Sequence, residues 1–415
     1  MRRGAVQRLR TVMEPAFIAY IAGCVLLYAL ISWPLRRVGL TAAIFFFLAG
    51  LPAGFFGLGL LDPESMRGAY LLAEITLALV LFVDATHATP AQIVKPRGAP
   101  LRLLLFGLPL FIVAGSAAAM LLLPSLSMWE AAVLAAVVAP TDAALGQPIL
   151  EDERVPGDIR HVLNVESGLN DGLSVPMLLI LLCVARLDAH PDMTDYWIEF
   201  SVIQLTIGPL TGAIVGYAGT KLLLRDTRVN EFETQSWIGV VAVAILAYGL
   251  AELVHGNGLI ASFVAGLVCS RAPQGARLTP FADAVGKLLA GFVFFIVGAH
   301  LFPAAWDNVS LPILAFATAA LTFVRIIPAA LTLIGTQMGW KAVLAIGWFG
   351  PRGLATIVFA LLVDRLALWD ERSIVFSSAM TTVVLSIMLH GVTASLAANW
   401  LAEKAGDSCT DGGGP

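Results

Sequence analysis

Glu166-Ser167-Gly168-Leu169-Asn170-Asp171-Gly172 places two carboxylates, an amide and a hydroxyl inside a segment, residues 159–184, that is otherwise apolar enough to cross a bilayer. Read as one helix, it brings Glu166, Ser167, Asn170, Asp171 and Ser174 back at three- and four-residue spacing, so they share a face. A carboxylate at membrane depth is costly unless it is paired, hydrated or protonated, which makes such residues functional candidates by default. Two carboxylates among neutral oxygen donors suit a small hard cation, a proton, or both in alternation.

The rest of the chain agrees with a membrane setting. Of 415 residues, 58% are apolar and only 13% are charged, against roughly 25% charged in a soluble domain. Mean hydropathy is +0.85. These values predict an all-α polytopic membrane protein whose surroundings are the lipid bilayer. The net charge of −4 says little, because the charges sit mostly in loops. No basic patch with interleaved aromatics supports nucleic-acid binding. Cys24, Cys183, Cys269 and Cys409 form no CxxC pair and read as small core residues. Neither a Gly-x-Ser-x-Gly nor a His-Glu-x-x-His motif is present, so the expectation is a transport protein without a cofactor, not an enzyme. The basic start leads into a full span without an obvious small-residue cleavage site, so no cleavable signal peptide is expected.

Apolar runs between charged or Pro/Gly-rich breaks give about thirteen spans, each near the ~20 residues a bilayer requires. They fall at approximately 16–33, 40–60, 68–86, 101–123, 128–149, 159–185, 199–223, 236–254, 257–271, 280–302, 310–335, 340–364 and 372–402. Residues 1–15 read as an N-terminal segment, 16–402 as the membrane domain and 403–415 as a disordered tail. Trp33, Trp129, Trp197, Trp237, Trp306, Trp340, Trp369 and Trp400 lie near span ends, as an aromatic belt requires. Alternate loops on one side carry Arg36, Arg37, Lys95, Arg97, Arg154, Arg160, Lys221, Arg225, Arg271 and Lys341; the other side carries far fewer cations. The positive-inside rule makes the first side cytoplasmic, with the N-terminus outside and the C-terminus inside. Arg2, Arg3, Arg8 and Arg10 conflict with that assignment unless the span count is off by one or, as we prefer, translation starts at Met13.

Two spans are interrupted. In the fifth, Val138-Ala139-Pro140-Thr141-Asp142 puts a proline, a hydroxyl and a carboxylate in mid-membrane. In the twelfth, Gly350-Pro351-Arg352-Gly353 does the same with an arginine. Paired breaks in corresponding halves point to inverted repeats and a binding site built from discontinuous helices. Arg325, a lone cation in the eleventh span, needs an anionic partner, with Asp142, Glu166 and Asp171 as candidates. Arg352 can neutralise negative helix ends. Plainer roles stand beside these: the breaks as simple kinks, Asp142 as a helix cap, Glu166 as a structural partner of Arg325, and Asn170 as an interhelical bridge. Asp84 and His87 read as a solvated loop mouth. Glu74 lines either the pore or the core. Lys287 reads as snorkelling from a span end, and His300 and His390 as interfacial.

At these residues the chain resembles the NhaP-type sodium/proton antiporters and, more distantly, the animal sodium/proton exchangers. Residues 166–172 resemble the family's Glu-Ser-x-x-Asn-Asp signature. Thr141-Asp142 resembles the Thr-Asp of its unwound fifth helix, with Ala143 where the family usually has proline. Arg325 falls where the family keeps an arginine paired with the glutamate of helix six. Gly350-Pro351-Arg352-Gly353 is similar to its Gly-Leu-Arg-Gly. The resemblance implies a thirteen-helix homodimer. Its core helices would lie at about 101–185 and 310–402, with 68–86 and 280–302 nearby, and its dimerisation helices at about 16–60 and 199–271. It further implies that Asp171 binds cation or proton, with Thr141, Ser167, Asn170 and Asp142 around it, and that Asn170 accompanies electroneutral exchange.

The expected function is therefore exchange of a monovalent cation (Na+ first, K+ or Li+ in competition) for protons across the cell's inner membrane. Cation and proton would compete at Asp171 under alternating access. A passive cation channel or leak uses the same groups. A third reading, an ion-binding membrane sensor, has an attached signalling domain as its expected hallmark.

Overall fold

The computed structural model describes residues 2–37, 39–54, 66–88, 98–189, 192, 194–225, 233–272, 279–366 and 372–407, and among these there is no strand. The helices are α1 (Arg2–Arg37), α2 (Ala42–Ala53), α3 (Met66–His87), α4 (Ala99–Leu122), α5 (Met128–Val137), α6 (Ala143–Leu150), α7 (Gly157–Ala189) and α8 (Thr194–Arg225). They continue as α9 (Glu233–Leu253), α10 (Gly258–Cys269), α11 (Pro280–Trp306), α12 (Leu311–Leu321), α13 (Phe323–Thr332), α14 (Trp340–Trp348), α15 (Leu354–Leu366) and α16 (Arg372–Asp407). Among the described residues there are eight stretches long and apolar enough to cross a membrane, seven of them single helices and the eighth α12 and α13 taken together (Leu311–Thr332). The other predicted span positions hold the shorter α2, α9 and α10 and the interrupted pairs α5/α6 and α14/α15.

The helices pack in two groups. In one, α4 packs on α5, α5 on α7, α13 on α14, and both α12 and α15 on α16. In the other, α10 packs on α3, α8 and α9, while α11 packs on α2 and α3. The two interruptions fall inside the first group, and α7 runs beside both groups through contacts with α5, α3 and α10.

Local chemistry accounts for the ends near the site. Ser127 and Glu130 form a reciprocal capping box that starts α5. Pro140 then denies the chain a donor, and residues 139–142 leave the helix before Asp142 caps α6.

Several expectations change. The segment expected at residues 1–15 is helical from Arg2 and runs on into the first span as α1, with Pro15 inside the helix. α16 runs to Asp407, into the expected tail. The second predicted span is helical only to Ala53 among the described residues, and its residues 55–60, like Trp369 and Cys409, lie outside them. The eleventh span, expected as one helix, divides at Thr322 (φ −112°, ψ −99°) just ahead of Arg325. His390, expected at an interface, is 2% exposed, since α16 extends a long way past it and carries it into the packed interior.

Candidate functional site

The two interrupted helices cross at their breaks. The Asp142 amide donates to the Pro351 carbonyl at 2.8 Å. One Asp142 oxygen accepts the Ala144 and Leu145 amides at 2.8 and 3.3 Å, and the other accepts the Leu354 amide at 2.9 Å. One carboxylate thus caps the N-termini of both α6 and α15, where the helix dipoles favour negative charge. Gly353 is required by this approach: a Cβ there would overlap the Asp142 carboxylate. Asp142 is the helix cap considered from sequence, extended to a second helix 212 residues away.

α7 lays its polar face against the first break. Thr141 Oγ1 donates to Ser167 Oγ at 3.2 Å. The Asn170 side-chain amide donates to Thr141 Oγ1 at 3.3 Å and to the Ala139 carbonyl at 3.5 Å, while Ser174 donates to the Asn170 backbone carbonyl at 2.7 Å and lies 3.2 Å from Asn170 Oδ1. Thr141, Ser167, Asn170 and Asp171 are all buried. Asp171 differs from its neighbours: its Oδ1 is buried and has no hydrogen-bond partner.

Glu166 and Arg325 form a buried ion pair at 2.6 Å, with 2% and 5% of the side chains exposed. Gly350 leaves room for this pair, because a Cβ there would lie 2.5 Å from Arg325 Nε. Arg352 is fully buried, donates to the Gly350 carbonyl at 2.6 Å and lies 4.6 Å from the Phe111 ring centre. The sequence-predicted residues therefore gather at one crossing, with Glu166 neutralised by Arg325, Asp142 engaged by amides, and Asp171 bonded by the Thr141 amide but left with one buried oxygen unpartnered.

A cavity of about 600 Å³ leads from the surface to Asp171 and Asp142. Asp84 and His87 line it, together with Asp283 and Lys287, which pair at 2.7 Å. This corrects the loop-mouth reading of Asp84. Its signal was present in sequence, as a carboxylate still inside the apolar run of α3. A second cavity, about 480 Å³, lies toward the other ends of α3 and α15 and is lined by Glu74, Tyr248, Glu252 and Arg365 but not by Asp171. There Tyr248 donates to Glu74 at 2.8 Å, and Arg365 lies 3.3 Å from it. Glu74 thus lines a cavity rather than the packed core.

Among the described residues, no group of three or more His, Cys, Asp or Glu side chains is placed to hold a metal ion. A monovalent-cation shell here would instead draw on Asp171 with the hydroxyl and amide oxygens of Thr141, Ser167 and Asn170. In the loop between α6 and α7, the Arg154 guanidinium beside Asp152 holds its carboxyl below the usual carboxylate range.

Comparisons with known proteins bear on this arrangement. Residues 24–400 match the family model described as the sodium/hydrogen exchanger, transmembrane. A protein named K(+)/H(+) antiporter NhaP from Alkalimonas amylolytica is 26% identical over 371 residues, covering 88% of this chain and 63% of that protein. A probable Na(+)/H(+) antiporter of Schizosaccharomyces pombe is 27% identical over 373 residues, covering 84% of this chain and 48% of that protein. The chain thus spans less than two thirds of the length of these relatives. The structure of the sodium proton antiporter MjNhaP1 from Methanocaldococcus jannaschii superposes with a TM-score of 0.72 at 19% identity, over 94% of this chain and 99% of that one. At that identity the likeness is one of fold.

Proposed function

The chain belongs to the sodium/hydrogen exchanger family, and on that premise we propose that it is a secondary active antiporter exchanging a monovalent cation, Na+ or K+, for protons. The observation that carries this reading is the state of Asp171: a buried carboxylate with an unpartnered oxygen, at the inner end of a cavity, beside three neutral oxygen-bearing side chains. An unpaired buried charge is strongly disfavoured. Either a cation or a proton relieves it, and one carboxylate cannot hold both.

Coupling follows from that competition. The site with Asp171 neutralised passes between the two faces, while the empty charged site is penalised, so each passage carries one cation or one proton. One-for-one replacement at one carboxylate is electroneutral. Glu166 and Arg325 cancel and add no net charge, which keeps the exchange governed by Asp171. Asp142 holds the two half-helices in register, and Thr141, Ser167 and Asn170 supply the remaining oxygens. Arg160 and Lys287 lie at the mouth of the cavity that reaches Asp171; by the positive-inside rule that mouth is cytoplasmic, with the N-terminus outside and the C-terminus in the cytoplasm. The group containing α4–α7 and α12–α16 would move against the other as the moving core. The proposal also takes the protein to be a homodimer in the inner membrane; exposed apolar residues on α1 and α8, including Leu26, Leu30, Leu210 and Ile214, suit lipid and a second copy equally.

The test is cation-triggered proton movement in proteoliposomes. Asp171→Asn abolishes it in protein that still folds. Robust pH-dependent cation flux through purified Asp171→Asn would sink the proposal.

A further inference from the structure

His390 is buried in α16, yet no part of the mechanism above uses it. It belongs to a continuous hydrogen-bonded chain along the second break. The Arg352 amide donates to Ser386 Oγ at 2.6 Å. Ser386 Oγ lies 3.2 Å from His390 Nδ1, and His390 Nε2 lies 2.8 Å from the Trp348 carbonyl. With the ring proton on Nε2, every link has one donor and one acceptor: amide to hydroxyl, hydroxyl to imidazole, imidazole to carbonyl. The Ser386 carbonyl, 2.9 Å from Nδ1, would take the ring's proton only from the other nitrogen.

The two ends of this chain are what matter. Trp348 is the last residue of α14, and its carbonyl has lost its place in the helix ladder; it accepts from the Gly350 amide and faces His390 Nε2. Arg352 lies within the break, two residues before α15 begins at Leu354. The His390 ring also rests against Trp348 and Phe349, with centroids 5.4 and 6.2 Å away. His390 and Ser386 therefore bridge from the end of α14 at Trp348 to Arg352 near the far end of the unwound segment, and fix the distance between them. That segment presents the Pro351 carbonyl and Leu354 amide to Asp142. We propose that His390 is a positioning residue of the cation site, holding the second break through Ser386 so that Asp142, and with it the oxygens around Asp171, keep their geometry. The inference rests on the antiporter reading.

The test is the apparent KM for cation and the maximal exchange rate, measured in proteoliposomes beside thermal melting in detergent. His390→Ala raises the KM about tenfold, the cost of one buried hydrogen-bond link. Ser386→Ala raises it several-fold, and the double variant is no worse than His390→Ala, because both residues act in one chain. His390→Gln, which can still donate to the Trp348 carbonyl, recovers most of the loss. Thr393→Val, which loses the bond from the Trp348 indole at 3.0 Å and the bond to the Leu389 carbonyl at 2.7 Å but no link of this chain, keeps the wild-type KM. Wild-type KM in His390→Ala, with only melting lowered, overturns the inference and makes the residue merely structural, and so do additive effects in the double variant. If His390→Ala does not fold, Ser386→Ala and His390→Gln carry the same KM test. No cation-dependent proton movement in the wild type removes the antiporter reading, and this inference with it.

Discussion

Removing Glu166 alone leaves Arg325 charged and buried, and the cost can be worked from the structure. At 2.6 Å, two unit charges attract by about 6 kcal/mol at an effective dielectric of about 20. Taking both ions out of water costs several kcal/mol each, so the intact pair nets close to zero. Breaking it does not, because the orphaned charge keeps its desolvation penalty: Glu166→Leu is expected to destabilise by about 3–5 kcal/mol. Arg325 already has a buried Nε without a partner, so no second acceptor waits nearby to soften the loss. Glu166→Leu combined with Arg325→Met removes both charges and is expected to cost less than either single change. Equilibrium unfolding of the purified protein, run as a double-mutant cycle, measures all three values. Single-variant costs below about 1 kcal/mol, or additive costs in the double variant, refute the claim that this pair is desolvated and mutually dependent.

Other outcomes follow from the same geometry. Gly353→Ala pushes a methyl group into the Asp142 carboxylate; it lowers exchange and destabilises by about 1–3 kcal/mol as the Leu354 amide loses its acceptor, which transport assays and melting check together. Glu74→Gln removes an ion pair whose Arg365 side chain is 55% exposed; melting changes by less than about 1 kcal/mol. Asp152 has a carboxyl held low by Arg154, so its contribution is complete above the unfolded carboxylate value of about 3.9 and is lost as pH falls through the lower folded value. The melting difference between wild type and Asp152→Asn is therefore flat from neutral pH down to about 5 and shrinks only in stronger acid.

Residues that lie close in sequence were legible in advance. The α7 polar face follows from helical spacing, and both breaks follow from proline and glycine in apolar runs. The need of a buried arginine for an anion led to Arg325, where Glu166 proves to be the partner. What stayed hidden is long-range or carried by ordinary residues. Nothing local marks the Asp142 contact with Leu354. The break at Thr322 contains neither glycine nor proline, and the threonine hydroxyl bonds back to the Thr318 carbonyl at 2.7 Å, within its own helix. Asp84 looked like a loop residue because it sits near the end of its apolar run, but the crossing lies at that depth and the cavity reaches it. His390 was misplaced because distance from a span end is a poor measure of depth in a helix as long as α16.

The central claim is that one carboxylate alternates between cation and proton. The most direct measurement is proton movement in proteoliposomes under an imposed pH gradient, with Na+, K+ and Li+ added in turn, with and without a voltage clamp, for wild type and Asp171→Asn. The account predicts cation-triggered proton movement in the wild type, unchanged by the clamp and absent in Asp171→Asn. Voltage-dependent movement in the wild type, or undiminished movement in Asp171→Asn, contradicts it.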